Sequence, residues 1–175
     1  MKIISFAASS STQSINKKLV TYAASLVDNS TVEILDLNDY EMPLFSQDRE
    51  NELGHLDLAK AFLAKIESAD AVMISFAEHN GTYTAAYKNL FDWCSRINAK
   101  VYQKKPMVLL STSPGAGGAG SVLKTALSSM PFFDGDVKGS FSLPKFYENF
   151  DSENNRVSNN VLALELQNTV NKLKG

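Results

Sequence analysis

The chain has 175 residues, 44% of them apolar and 21% charged, which suits one domain with a full hydrophobic core. A net charge of -2 gives no electrostatic reason to bind nucleic acid or an anionic membrane, and no apolar run approaches the ~20 residues that span a bilayer. A single cysteine excludes an internal disulfide, and the chain enters its first strand without a signal-peptide pattern, so a reducing, cytoplasmic setting is expected.

Ile3, Ile4, Phe6 and Ala7 form a short apolar run, the pattern of a parallel strand buried on both faces. A cluster of hydroxyls follows, at Ser9, Ser10, Ser11, Thr12 and Ser14. Asn16 then opens a helical pattern carried by Leu19, Tyr22, Ala23 and Leu26. Residues 32–35 read as a second strand, and residues 37–54 as the longest connection, polar and irregular. Ala59, Phe62, Leu63 and Ile66 mark a helix face, and residues 71–76 form a third strand with no polar alternation. Tyr83, Ala86, Tyr87, Leu90, Trp93, Cys94 and Ile97 make the stripe of the next helix. A strand over 107–111, a helix face from Val122 to Met130, a strand over 137–143 and a helix over 158–173 complete the chain. This alternation predicts a single α/β domain over residues 1–175. Its core is a doubly wound, five-stranded parallel sheet of order 2-1-3-4-5 between two helix layers.

In such a sheet, ligands bind beyond the carboxyl ends of the strands, where the strand order reverses. The loops after strands one, three and four should therefore form one site. Strand, hydroxyl loop and helix start describe a phosphate cradle: the helix offers free N–H groups and a partial positive charge, and Ser9, Ser11 and Ser14 add donors, with Ile15 and Asn16 at the helix start. The second loop holds Glu78, His79, Asn80 and Gly81, and the third holds Ser113, Gly115, Gly117 and Gly118. Gly, Asn and Pro in these loops let main chain approach a flat ligand closely. Phosphate at one loop and a planar ring at the other two describe a mononucleotide such as FMN.

Gly115, Gly117 and Gly120 spell G-x-G-x-x-G after a strand, with Asp136 about twenty residues on, the lettering of a dinucleotide fingerprint. The fingerprint belongs after the first strand, and its acidic residue should close the next strand, whereas Asp136 precedes one. Asp36 does close the second strand, but the loop before it has no glycine. His55 and His79 are not paired with cysteine or carboxylate at metal-ligand spacing, so no metal site is expected. Cys94 lies on an apolar stripe beside Trp93 and reads as core. No histidine follows Ser113, which speaks against a hydrolase.

Three motifs resemble those of the NADPH-dependent FMN reductases, a flavodoxin-like family that includes quinone, azo-dye and chromate reductases. The family's Gly-Ser-x-Arg-x-x-Ser-x-Asn appears as Ala8-Ser9-Ser10-Ser11-Thr12-Gln13-Ser14-Ile15-Asn16. Its Pro-Glu-Tyr-Asn and Lys-Asn-x-x-Asp-Trp appear as Ala77-Glu78-His79-Asn80 and Lys88-Asn89-Leu90-Phe91-Asp92-Trp93. Its Ser-Pro-Gly with a following glycine pair appears as Ser113-Pro114-Gly115 and Gly117-Gly118. The resemblance implies FMN as cofactor, NADPH or NADH as co-substrate, a small-molecule electron acceptor such as a quinone, azo compound or flavin, and a homodimer or homotetramer. The flavin would carry the chemistry, so no catalytic side chain is expected. The open ring face should be bounded by His79 and residues 42–49. Ser11 and the third loop replace the family's arginines, which leaves Arg49, Lys104 and Lys105 as candidate partners for a nicotinamide nucleotide's 2′-phosphate. A flavodoxin-type electron carrier and a non-catalytic FMN-binding sensor are the alternative readings.

Overall fold

The structure is a computed structural model, and it describes residues 1–174. Five parallel strands, β1 (Lys2–Ala8), β2 (Thr31–Leu35), β3 (Ala71–Phe76), β4 (Pro106–Thr112) and β5 (Asp136–Leu143), form one sheet of order β2-β1-β3-β4-β5. This is the order expected from the sequence. The central strands β1, β3 and β4 are buried almost end to end. Burial on both faces is why they read as continuous apolar runs without alternation.

Helices α1 (Ile15–Ser25) and α7 (Asn160–Asn171) cover one face of the sheet. There Leu19, Val20, Ala23, Leu166 and Val170 pack on Ile3, Met73, Val108 and Leu110. Helices α3 (Asp57–Glu67), α4 (Ala85–Ile97) and α5 (Gly120–Ser129) cover the other. There Phe62, Ile66, Leu90, Trp93, Val122 and Ala126 pack on Phe6, Ile74, Phe76 and Leu109. The side chains of a two-faced sheet alternate between these cores, so neighbouring strand residues belong to different layers.

Two local expectations are corrected, and one insert is added. Helix α1 starts at Ile15, because Ser14 takes the N-cap position and its side chain accepts the Lys17 N–H. The connection over 37–54 is not irregular throughout. It holds a 3-10 turn (Leu37–Tyr40) capped by Asp36 and a short helix α2 (Gln47–Leu53) capped by Ser46. Between β5 and α7 the chain adds a one-turn helix α6 (Phe146–Asn149) and a small hairpin of β6 (Phe150–Asp151) with β7 (Arg156–Val157). Phe146 and Phe150 from this insert stack with ring centroids 4.7 Å apart and close the α7 side of the core.

Candidate functional site at the carboxyl edge of the sheet

The loops after β1, β3 and β4 meet at one edge, as the strand order requires. In the first loop the hydroxyls accept hydrogen bonds from nearby backbone: Ser9 Oγ from Ser11 N at 3.2 Å, Ser11 Oγ from Gln13 N at 3.3 Å, and Ser14 Oγ from Lys17 N at 3.2 Å. Each hydroxyl therefore keeps its own proton for an incoming acceptor. The first N–H groups of α1, at Ile15 and Asn16, have no intrahelical acceptor. These donors share one loop with the positive end of the helix dipole, and no acidic residue lies in the first turn. This donor set fits a phosphate monoester.

The Asn16 side chain is not part of that surface. It is 2% exposed and clasps the sheet: Nδ2 donates to Thr112 O, and Oδ1 accepts from Thr112 N and from Ser75 Oγ. Asn16 thus ties the first loop to the end of β4, and only its backbone N–H remains for a ligand.

In the second loop His79 and Thr82 exchange both backbone hydrogen bonds, at 3.0 and 3.2 Å. Asn80 and Gly81 between them have φ of 52° and 80°, the signature of a two-residue type I′ turn, which Asn-Gly forms readily. A Cβ on Gly81 meets nothing within 4 Å, so glycine is needed for its backbone and not for space. The turn stands exposed, with His79 at its base. Glu78 reaches away from the turn, and its Oε2 accepts the Val122 N–H of α5 at 2.8 Å. Thr84, buried at the start of α4, donates through Oγ1 to Ala8 O at 2.9 Å and caps α4 by accepting Tyr87 N–H. The three loops are therefore tied in pairs, first to third by Asn16, first to second by Thr84, and second to third by Glu78.

In the third loop Ser113 and Gly115 give their carbonyls to Phe146 N and Lys145 N, which fix the loop against α6. Gly117 is open to solvent, whereas Gly118 is buried and its carbonyl accepts from both Ser111 Oγ and Ser142 Oγ. A Cβ on Gly118 would sit 2.3 Å from Ser142 Oγ, and its φ is 56°. Gly118 serves loop packing. Ser113, Gly117, Gly120, Ser121, Lys124 and Glu78 line an open cavity of about 530 Å³. Lys124 lies one turn inside α5, and a sequence reading centred on loops passes over it.

On the β2 side, the segment 42–45 is held against α4. Asn89 Oδ1 accepts Phe45 N–H at 2.8 Å and Nδ2 donates to Met42 O and Pro43 O, while Trp93 Nε1 donates to Pro43 O at 2.7 Å. Phe45 packs edge-on to Trp93. The Lys-Asn-x-x-Asp-Trp motif is thus a clamp for this strap, and Leu90 and Trp93 within it face the core, not a partner. The strap, Ser10 and the start of α4 enclose a second cavity of about 430 Å³ with Leu44 on its rim. Arg49 is engaged with Leu44 O. Lys104 and Lys105 immediately precede β4 and so lie at the opposite, amino-terminal edge, which removes them as partners for a ligand at this site.

Asp36 is engaged as well. Its carboxylate takes Lys17 Nζ at 2.5 Å and Asn38 N–H, and these hold its pKa below the ordinary carboxylate range. It is not free for a ribose hydroxyl, which completes the case against the dinucleotide lettering. Cys94 is fully buried, its thiol pushed up to about 12 by desolvation. Among the described residues no group of His, Cys, Asp and Glu could hold a metal ion, and no helix is long and apolar enough to cross a membrane.

Residues 1–147 match the family described as NADPH-dependent FMN reductase, and the chain belongs to that family. A 2-hydroxy-1,4-benzoquinone reductase from Burkholderia sp is 34% identical over 107 residues, covering 60% of this chain and 56% of that one. An NAD(P)H-dependent FMN reductase from Pseudomonas aeruginosa is 26% identical over 135 residues, 77% of this chain and 71% of that one. The chain thus spans about half the length of the first curated relatives it matches. Among solved structures, the flavoenzyme NAD(P)H:(acceptor) oxidoreductase of Paracoccus denitrificans superposes with a TM-score of 0.77 at 22% identity, covering 98% of this chain and 94% of that one. This likeness establishes the flavodoxin-like fold.

Proposed function

We propose that this member of the NADPH-dependent FMN reductase family is an FMN-dependent oxidoreductase that takes hydride from NADH or NADPH and passes electrons to a small acceptor such as a quinone, azo compound or flavin. When bound, FMN supplies the ring that accepts hydride and then gives up electrons. The chain's own part is to bind, orient and bound that ring. The observation that carries the reading is the first loop, where the Ser9, Ser11 and Ser14 oxygens accept from backbone and so leave their hydroxyl protons, like the N–H groups of Ile15 and Asn16, for an incoming acceptor. Charge-assisted bonds of this kind contribute roughly 1.5–3 kcal/mol each, which offsets the arginine that the family's loop would carry.

The Asn80–Gly81 turn and the backbone of Ser113, Gly115 and Gly117 are the proposed ring contacts. The side chains of Asn16 and Glu78 and the whole of Gly118 support these contacts from behind. The donor's ring and the acceptor would approach past His79 and the strap at 42–45. Names of relatives that act on quinones support a small-molecule acceptor. A homodimer or homotetramer belongs to the same reading, supported by Phe132, which is 74% exposed next to half-buried Phe133. A single-chain mass by light scattering at micromolar concentration counts against assembly.

Titration with FMN and riboflavin tests the cradle. FMN should bind at least a hundredfold more tightly, because only FMN brings the phosphate. Equal affinities would contradict the reading.

A further inference from the structure

Glu78 stands out among the residues at this edge because it points a carboxylate at a helix terminus that already lacks a cap of its own. Helix α5 begins after Ala119, which lies in the left-handed region with φ 61° and offers no side-chain oxygen. The Val122 N–H in its first turn is accepted instead by Glu78 Oε2, 44 residues earlier in sequence. The other two ties between the loops, Asn16 and Thr84, are neutral and buried. Glu78 alone is a carboxyl side chain, and it is half-buried. It also lines the same cavity as Ser113 and Gly117, whose backbone is the proposed donor set for one edge of the flavin ring.

We infer that Glu78 is a positioning and potential-setting residue: it fixes the width of the slot between the second and third loops, and its negative charge opposes the positive end of α5 where a reduced flavin ring would gain charge. The inference rests on the FMN reading above. The electrostatic sign follows from Coulomb's law: a carboxylate beside the ring disfavours added electron density, and the uncompensated helix end would favour it. Removing the charge while keeping the hydrogen-bond acceptor should therefore stabilise the reduced cofactor relative to the oxidised one. Removing both should also loosen the slot.

The test compares the FMN-loaded wild type with Glu78→Gln and Glu78→Ala, reading the flavin midpoint potential, FMN affinity and thermal stability. Glu78→Gln should raise the ratio of reduced to oxidised FMN affinity at least threefold, a positive midpoint shift of about 14 mV for a two-electron couple, with oxidised FMN bound as in the wild type. Glu78→Ala should show the same direction of shift with weaker FMN binding and lower stability. A midpoint unmoved in Glu78→Gln overturns the potential-setting role, and equal FMN affinity in all three proteins overturns the positioning role. Glu78→Gln keeps an oxygen for Val122, so it decides the potential even where Glu78→Ala does not fold. A wild type that binds no FMN contradicts the FMN reading itself, a result distinct from bound flavin with an unmoved potential.

Discussion

The amide of Asn16 pairs with the peptide of Thr112 in both directions, Nδ2 to Thr112 O and Thr112 N to Oδ1, each at 3.1 Å. Ser75 Oγ adds a third bond at 2.7 Å. One buried side chain thereby joins the first turn of α1 to β3 and β4. An unmade hydrogen bond at a buried site costs about 1–3 kcal/mol. Asn16→Ala leaves several groups unpaired at once and should destabilise the fold by about 3 kcal/mol in denaturant titration. Asn16→Asp keeps the shape but replaces the donor with a buried charge, and should be no better.

The sequence marked Asn16 as a site residue because it closes the hydroxyl motif, and the motif alone cannot show which way an amide points. The strands were legible because burial on both faces leaves an unbroken apolar run, as in residues 71–76. The strap at 42–45 was not, because its order comes from Asn89 and Trp93, more than forty residues away, and not from its own composition. Glu78 and Gly118 were found as positions in a motif, while their roles in capping α5 and packing on Ser142 depend on contacts between loops. Lys124 carried no signal, since a lysine on an exposed helix turn is ordinary.

Gly118 and Gly81 should respond differently to alanine. Gly118→Ala combines a left-handed backbone with a Cβ 2.3 Å from Ser142 Oγ and 3.1 Å from Leu143 backbone, and should cost more than 2 kcal/mol. Gly81→Ala meets open space and should cost only about 1 kcal/mol, the backbone term alone. Thermal denaturation of the two variants gives the ranking.

Trp93 is the single tryptophan of the chain and lies beneath the strap, so its emission reports the clamp directly. Asn89→Ala removes three bonds to residues 42–45. It should shift the emission to longer wavelength and raise acrylamide quenching, with a loss of about 1–2 kcal/mol in stability. Unchanged emission would show that Trp93 and Phe45 hold the strap without Asn89.

The Cys94 thiol, raised to about 12 by burial, should stay protonated and unreactive at pH 8. A thiol-reactive dye should label none of the native protein and one site per chain after denaturation. Rapid native labelling would mean that the α3–α4 contact opens easily.

Lys17 first, and then the Asn38 N–H, lower the folded pKa of Asp36. A depressed carboxylate pKa stabilises the folded state above the unfolded value, about 3.9, and that contribution disappears as pH falls through the folded pKa. The side chains of the pair are 39% and 32% exposed, so solvent screening keeps the effect under about 1 kcal/mol. Wild type and Asp36→Asn should differ in stability above the unfolded carboxylate pKa and converge only as pH falls below the depressed folded one.

Anaerobic stopped-flow mixing of the FMN-loaded protein with NADH and, separately, NADPH is the most direct test of the central claim. Both donors should bleach the visible flavin band in a single turnover, and a quinone added afterwards should restore it. The candidates that the sequence offered for a 2′-phosphate are unsuited: Ser11 and Gly117 stand where the resemblance would place arginine, Arg49 is tied to Leu44, and Lys104 and Lys105 lie at the opposite edge. The two donors should therefore agree in kcat/KM within about tenfold, or ~1.4 kcal/mol of transition-state binding. A preference for NADPH above about a hundredfold would reveal a phosphate site elsewhere, with Lys124 the first residue to replace. Bound flavin that neither donor reduces would contradict the oxidoreductase reading and leave a carrier or a sensor.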